Sequence, residues 1–248
     1  MLRRILPGIV LSTALAAPGF AQTVDELISR NVVARGGLAK LGAVTSVRMS
    51  GTLSMGAMEL PIVLELKRPA SVRSEVAVQG SRVVEAFDGK DAWAIPPGPG
   101  AQPVKLPAAA AKDKAEQADL DGPLVDYQTK GHQVELLGKE RLDGGDAFKV
   151  KLIRKGGGVE YYFLDAKSYL LVRVAGKRRV QGEELEGDST LGDYREAGGV
   201  MWAHSIHSGA KGQPERQNLT FTKIEVNPTL DDSRFRMPAG ARPLEPPR

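Results

Sequence analysis

The sequence predicts a mainly β protein of the α+β class, in which a large antiparallel sheet is accompanied by an N-terminal helix and mid-chain helices. Apolar and polar residues alternate with a period of two over about twelve segments, which is typical of strands with one dry and one wet face. Short turn sequences rich in Gly and Asp separate neighbouring segments, which favours an antiparallel meander. The dry face of such a sheet must be filled by helices, by closure of the sheet or by a ligand.

The first element predicted is a helix from Thr23 to about Leu41. Thr23 and Glu26 have the spacing of a capping box, in which each satisfies a free backbone N–H at the start of the helix. Gly36 and Gly37 interrupt the pattern and should loosen or kink it, since each Gly is about 1 kcal/mol less favourable than Ala in a helix. The apolar stripe of this helix predicts that it covers a sheet.

The strand segments fall into two groups, one of five segments between residues 46 and 95 and one of seven between residues 133 and 227. Asp88-Gly89-Lys90 predicts a tight hairpin turn in the first group. The stretch Pro96–Pro107 contains five prolines and predicts a long loop, which is interpreted either as a lid or docking surface or as an inert connection. An Ala-rich helix over residues 108–120 and a short helix near Leu124–Tyr127 are expected between the groups.

Residues 1–21 have the features of a cleavable secretory signal. Arg3 and Arg4 precede an apolar stretch, Ile5–Ala17, which is shorter than the roughly 20 residues needed to span a bilayer. Small residues end the segment and predict cleavage after Ala21. We therefore expect a periplasmic chain without a transmembrane segment, with one domain over residues 22–237 and a flexible Pro-rich tail over residues 238–248.

Charge and cysteine content exclude several classes of function. Removing the two signal arginines from the formal charge of +4 leaves only +2, which is too little to indicate a nucleic-acid partner. The absence of cysteine excludes disulfides, thiol catalysis, cysteine zinc sites and a lipid-attachment cysteine at the cleavage point.

Motifs for catalysis are also missing. The sequence has neither a Gly-x-Ser-x-Gly elbow nor a phosphate-binding glycine loop. The three histidines are His132, His204 and His207, and the spacing of the last two places them on opposite faces of a strand, which argues against a metal site. No cofactor and no enzymatic activity are expected.

Several runs resemble bacterial proteins known as outer membrane lipoprotein-sorting proteins, and together they cover essentially the whole mature chain. These runs are Asp119–Tyr127, Gly131-His132, Val134–Glu140, Tyr161–Ala166, Gly192–Glu196, Gly198–Val200, His204–Ile206 and Ile224–Asn227. The resemblance implies the fold of the LolA/LolB-like superfamily, an unclosed and strongly curved antiparallel β-barrel of about 11–12 strands with helices covering its open side. In that superfamily an apolar hollow holds the acyl chains of lipoproteins or other lipids.

Eight apolar side chains are the candidates for lining such a hollow: Met49, Leu53, Met55, Leu64, Leu66, Val76, Val78 and Trp93. Unbranched Met and Leu can repack around a lipid. The alternative interpretation is a plain core packed against the N-terminal helix.

These observations lead to three hypotheses. The first is a monomeric carrier or chaperone that binds lipoprotein acyl chains or another lipid. The second is a sensor or interaction module of the same fold that regulates a membrane partner in the envelope, and the third and weakest is an enzyme.

Overall fold

The protein is described here from a computed structural model, which covers residues 22–180, 183–210 and 216–244. The predicted signal, its cleavage point and residues 245–248 lie outside the described residues.

The N-terminal helical region consists of two helices, α1 (Val24–Ala34) and α2 (Leu38–Ala43). The predicted capping box is confirmed, because Thr23 and Glu26 exchange side-chain to backbone hydrogen bonds. The predicted break is confirmed as well, since Gly36 and Gly37 have φ angles of 121° and 90°. These left-handed values suit glycine and end α1 before α2 begins.

Five strands of the first group and two further elements follow. The bounds are β1 (Ser46–Met55), β2 (Met58–Lys67), β3 (Ser71–Val78), β4 (Ser81–Phe87), β5 (Ala92–Ile95), β6 (Val104–Lys105) and α3 (Ala108–Gln117). The turn predicted at Asp88 is confirmed, because its carboxylate accepts hydrogen bonds from the backbone N–H groups of Lys90 and Asp91.

The second group supplies seven strands, and their bounds are β7 (Gln133–Leu142), β8 (Gly145–Ile153), β9 (Val159–Asp165), β10 (Leu171–Val180), β11 (Glu183–Ala197), β12 (Val200–Ala210) and β13 (Arg216–Val226). One more strand, β14 (Arg242–Pro243), follows this group in the C-terminal tail. A single turn of 3-10 helix, Asp232–Arg234, lies between the last two strands.

The fourteen strands found among the described residues form one sheet in the order β14-β6-β5-β4-β3-β2-β1-β13-β12-β11-β10-β9-β8-β7. Antiparallel pairing of β1 with β13, in which Val47 lies opposite Val226, joins the two groups into one continuous sheet. The edges are β7 and β14, so the barrel is unclosed. The predicted fold class is confirmed.

The two strands beyond the predicted twelve are the short ones, β6 and β14. The Pro-rich stretch is therefore not entirely irregular, since Val104–Lys105 forms a strand within it. In the tail, Arg242–Pro243 pairs in parallel with this strand, and the backbone N–H of Leu244 donates to the carbonyl of Lys105 at 3.0 Å. An isolated strand of two residues has no sequence signature, because its pairing depends on the partner strand.

Helices α1 and α3 and the segment of residues 118–131 cover one face of the sheet, called here the inner face. Turns occupy residues 124–130, where a short helix was expected, but Leu124 and Val125 are still buried. The cluster that packs between these elements and the sheet includes Leu27, Ile28, Val32, Leu120, Leu124, Val125, Val47, Leu66, Val72, Phe87, Val150, Leu152 and Leu164.

The opposite, outer face of β2–β5 is covered by the C-terminal segment. Phe235 is 1% exposed, and its carbonyl accepts a hydrogen bond from the Trp93 indole at 2.7 Å. Glu65 is completely buried, and its carboxylate binds Arg48 and Arg234 at 2.9 Å each. A buried carboxylate must be compensated in this way, because its desolvation is otherwise strongly unfavourable.

Candidate functional site

The inner face is covered over only part of its length. Strand register identifies the uncovered part: Met49 opposes Leu64 in the covered region, and further along the same strands Leu53 opposes Leu60 and Met55 opposes Met58. Side chains that oppose each other directly lie on the same face, so the apolar rows continue past the helices. We call the uncovered part the open wall and define it as Leu53, Met55, Met58, Leu60, Val76 and Val78.

The open wall is apolar and accessible. Its members are half-buried, except for Met58, which is 54% exposed. The row through Leu53 continues onto the second half of the sheet, where Leu219 faces Leu53 and Ile206 faces Leu219. An apolar surface that crosses several strands and remains accessible is unusual for a soluble protein and is typical of a binding surface.

The structure separates the eight predicted lining residues into three groups. Met49 and Leu66 belong to the packed core, and Leu64 packs against that core while remaining half-buried. Leu53, Met55, Val76 and Val78 form most of the open wall. For the first group the structure shows the plain core that was the alternative interpretation.

Trp93 does not share the inner face with the other seven. Register places Ala92 opposite the core residue Phe87, whereas Trp93 lies opposite Ala86 on the outer face. There Trp93 packs with Val84, Ala86, Ile95 and Met237.

Helix α3 is fastened across the inner face by ion pairs at both sides. Lys114 pairs with Glu85 of β4 at 2.5 Å, and Glu116 pairs with Arg154 beside β8 at 3.2 Å. Arg154 also pairs with Glu160 at 2.8 Å. Burial raises the pKa of Glu116, although Arg154 opposes this shift. The arrangement holds the helix in place and leaves the charges paired.

A second apolar surface lies on α1 and α2. Val33 and Leu38 are 70% and 60% exposed, and they line a groove of about 410 Å³ against residues 124–129. A shallower cavity of about 380 Å³, between α1 and Tyr169, shares Val33 with this groove.

A larger cavity of about 640 Å³ lies between the β7–β8 hairpin and strands β10 and β11. Its arginines Arg173 and Arg216 both bind the carboxylate of Asp188, at 3.0 and 2.9 Å. Arg141 pairs with Asp146 at 3.1 Å. The cavity is therefore lined by charged side chains of both signs, several of which are paired with one another.

The two histidines at positions 204 and 207 lie on opposite faces, as predicted. His204 is buried on the inner face, where Nδ1 is 2.6 Å from the carbonyl oxygen of Phe221. His207 is exposed on the outer face, with Ser205 Oγ at 2.8 Å from Nε2 and Asn218 Oδ1 at 2.6 Å from Nδ1. The sequence reasoning missed this trio, although a Ser and a His two residues apart on a strand necessarily share a face.

Within residues 22–180, 183–210 and 216–244, no group of three or more His, Asp or Glu side chains is placed to hold a metal ion. The same residues include no helix with both the length and the apolar character needed to cross a bilayer.

These observations define a class of fold: an unclosed antiparallel β-barrel whose inner face is crossed by helices. Comparison with solved structures identifies it as LolA-like. The chain is similar to a domain named as an outer membrane lipoprotein-sorting protein from Vibrio parahaemolyticus, with 12% identity over 79% of this chain and 92% of that one and a TM-score of 0.57. It is also similar to a LolA superfamily protein from Nitrosomonas europaea, with 13% identity, coverage of 87% and 98%, and a TM-score of 0.56.

A DUF1329 family protein from Desulfovibrio piger gives 11% identity, coverage of 87% and 98%, and a TM-score of 0.60. No family model matches the sequence. No curated protein matches it either. At these identities the similarity establishes the fold.

Proposed function

We propose that this protein is a periplasmic carrier that holds the acyl chains of a lipoprotein or another lipid against the open wall by non-covalent binding, with no chemistry at that wall. The observation that carries the proposal is the row of half-buried apolar side chains on the uncovered inner face, above all Leu53 and Leu60. The neighbouring core residues pack against the helices, whereas these side chains are not covered by any helix among the described residues and can contact a ligand. Met55 and Met58 add deformable side chains that can adapt to different chains.

The binding free energy at the open wall depends on the number of methylenes that a ligand buries there. Burying one methylene contributes about 0.8 kcal/mol, so ten methylenes against the wall would contribute about 8 kcal/mol before the entropic penalty of association. An association penalty of about 4 kcal/mol or more leaves at most about 4 kcal/mol, which is a Kd of about 1 mM, so tighter binding requires a longer chain or more than one chain.

The proposal includes export and a single working domain. Residues 1–21 act as the signal, with cleavage after Ala21, and residues 22–237 form the carrier domain, whose sheet is extended by β14 from the tail. The fold that the chain shares with a lipoprotein-sorting domain supports the carrier part of the proposal.

The test compares two neighbouring substitutions on β1. Leu53→Asp places a charge on the open wall, whereas Thr52→Asp places the same charge on the outer face. We expect Leu53→Asp to weaken the binding of a fluorescent fatty acid at least tenfold, because the carboxylate would have to be desolvated against the chain, and Thr52→Asp to leave binding unchanged. Mass spectrometry of lipid extracted from the protein purified from its native envelope gives the second readout. Equal affinities for the two variants, or a wild-type protein that neither binds the probe nor co-purifies with lipid, would rule out the carrier.

A second candidate function is an interaction module that contacts a membrane protein of the envelope. The exposed Val33 and Leu38 beside the groove on α1 favour it. A photoreactive amino acid at position 33 should crosslink one dominant membrane partner in cells, while the same amino acid at the exposed Lys90 should not. Crosslinks to many lipoproteins would support the carrier instead.

A further inference from the structure

Ser205, His207 and Asn218 form a hydrogen-bonded relay on the outer face of β12 and β13. The Ser205 Oγ lies 2.8 Å from His207 Nε2, and His207 Nδ1 lies 2.6 Å from Asn218 Oδ1. We propose that Ser205 is an activated nucleophile that accepts an acyl group from a neutral ester, with His207 as general base and Asn218 as positioning residue. This activity is independent of lipid binding on the inner face.

Strand pairing builds the relay. Ser205 and His207 are two residues apart on β12 and therefore project from the same face, and register places Asn218 of β13 directly opposite His207. The ladder of backbone hydrogen bonds holds the three positions, so their geometry does not depend on a loop. His207 is exposed and Ser205 is half-buried, which leaves the hydroxyl accessible to a substrate.

The hydrogen bonds give each ring nitrogen a distinct role. An amide oxygen accepts, so Asn218 Oδ1 holds the imidazole proton on Nδ1. The lone pair of Nε2 then faces the Ser205 hydroxyl and can take its proton. This is the order of nucleophile, base and orienting group that acyl-transfer sites use.

A donor for the developing oxyanion lies within reach. Thr220 is directly opposite Ser205, and directly opposed side chains have Cβ atoms about 5 Å apart. The Thr220 hydroxyl can therefore donate to the carbonyl oxygen of an ester placed on Ser205.

The acyl transfer to Ser205 and the hydrolysis that follows require no co-reactant other than water. Ser205 Oγ attacks the ester carbonyl as its proton moves to His207 Nε2, and collapse of the tetrahedral intermediate breaks the ester C–O bond while that proton passes to the leaving alkoxide. Water then releases the acyl group as a carboxylic acid by the reverse proton path. The neighbours in register are uncharged, namely Thr190, Ser54, Thr52 and Gly192, which favours a neutral acyl group.

The experiment uses the full secreted protein with p-nitrophenyl acetate and with a fluorophosphonate probe, followed by mass spectrometry of the labelled site. We expect the adduct on Ser205. His207→Gln should slow labelling about 100-fold, the contribution of a general base. Asn218→Leu should slow it as well, and Asn218→Asp should restore it because a carboxylate also accepts from Nδ1. Ser29→Ala, which removes an exposed serine on α1 away from the relay, should have no effect.

Circular dichroism is used to check that each variant is folded, and because His207 is exposed we expect its substitution to be tolerated. Labelling that is absent, that occurs at another residue, or that proceeds at an unchanged rate in His207→Gln would overturn the assignment. Fatty-acid binding by the same preparations is measured in parallel and reports separately on the carrier.

Discussion

Asp121 fastens the turn segment after α3 to the end of the sheet that lies beneath α2. Its two carboxylate oxygens accept hydrogen bonds from Arg68 Nη1 and Nη2, both at 2.7 Å. Arg68 is held in turn by the carbonyl of Val44, to which its Nε donates at 2.7 Å. The segment carries the buried Leu124 and Val125, so this pair controls whether those side chains stay in the core.

The substitution Asp121→Asn keeps the shape of the side chain and removes its charge. Hydrogen bonds to charged groups contribute about 1.5–3 kcal/mol to stability. The two side chains are 21% and 30% exposed, so solvent weakens the pair. We therefore expect Asp121→Asn to lower the free energy of unfolding by about 1–2 kcal/mol at pH 7.

The pH dependence of the free energy of unfolding distinguishes an effect of the lost charge from an effect of altered packing. The hydrogen bonds from Arg68 lower the pKa of Asp121, although partial burial opposes the shift. In the unfolded chain the pKa of an Asp is about 3.9. As the pH falls, the unfolded state therefore takes up the proton first, so the stabilisation is complete above about pH 5 and disappears as the pH drops through the lowered pKa. The difference between wild type and Asp121→Asn should shrink along the same range.

Urea unfolding measures both quantities, with tryptophan fluorescence as the signal from Trp93 and Trp202. Asp126→Asn is the matched control, because Asp126 is exposed on the same segment and has a φ angle of 50°, which Asn tolerates. The reasoning is refuted if Asp121→Asn is as stable as wild type at pH 7, or if its deficit is undiminished at pH 3.

Two further substitutions test the packing of the barrel. Phe235→Ala removes a fully buried ring with which the C-terminal segment packs on the sheet, and it should destabilise the protein by about 3–5 kcal/mol in urea unfolding. A loss of stability below about 1 kcal/mol would show that this segment packs loosely. Gly51→Ala should lower the melting temperature, because a Cβ there would overlap the backbone oxygen of Thr220 on the paired strand, whereas Gly144→Ala meets open space and should be neutral. Equal melting temperatures for the two alanine variants would contradict the close approach of β1 and β13.

Local patterns predicted most of the elements. The capping box at Thr23, the break at Gly36 and the turn at Asp88 depend on interactions within a few residues, and the structure confirms them. The period-two segments likewise predicted twelve strands, because the alternation of side chains is a local property of the extended chain. The fold class could therefore be stated before the structure.

The face that each residue occupies could not be obtained in the same way. Trp93 stands in a short strand, and both faces of the sheet are covered there, by α3 on one side and by the C-terminal segment around Phe235 on the other. Because residues on both faces of this strand are apolar, the alternation of apolar and polar residues that would identify the inner face is absent. The open wall was only partly predicted for a related reason, since the extent of helix cover depends on the ion pairs that place α3.

The sequence by itself determined that the chain consists mainly of antiparallel strands and contains no cysteine. Only the tertiary structure decided that β1 pairs with β13, that Glu65 is buried among arginines and that Ser205, His207 and Asn218 meet. Strand periodicity and helix capping depend only on residues that are close together in the sequence. Register between distant strands depends on the packing of the whole sheet, and that packing brings together residues that no local pattern connects.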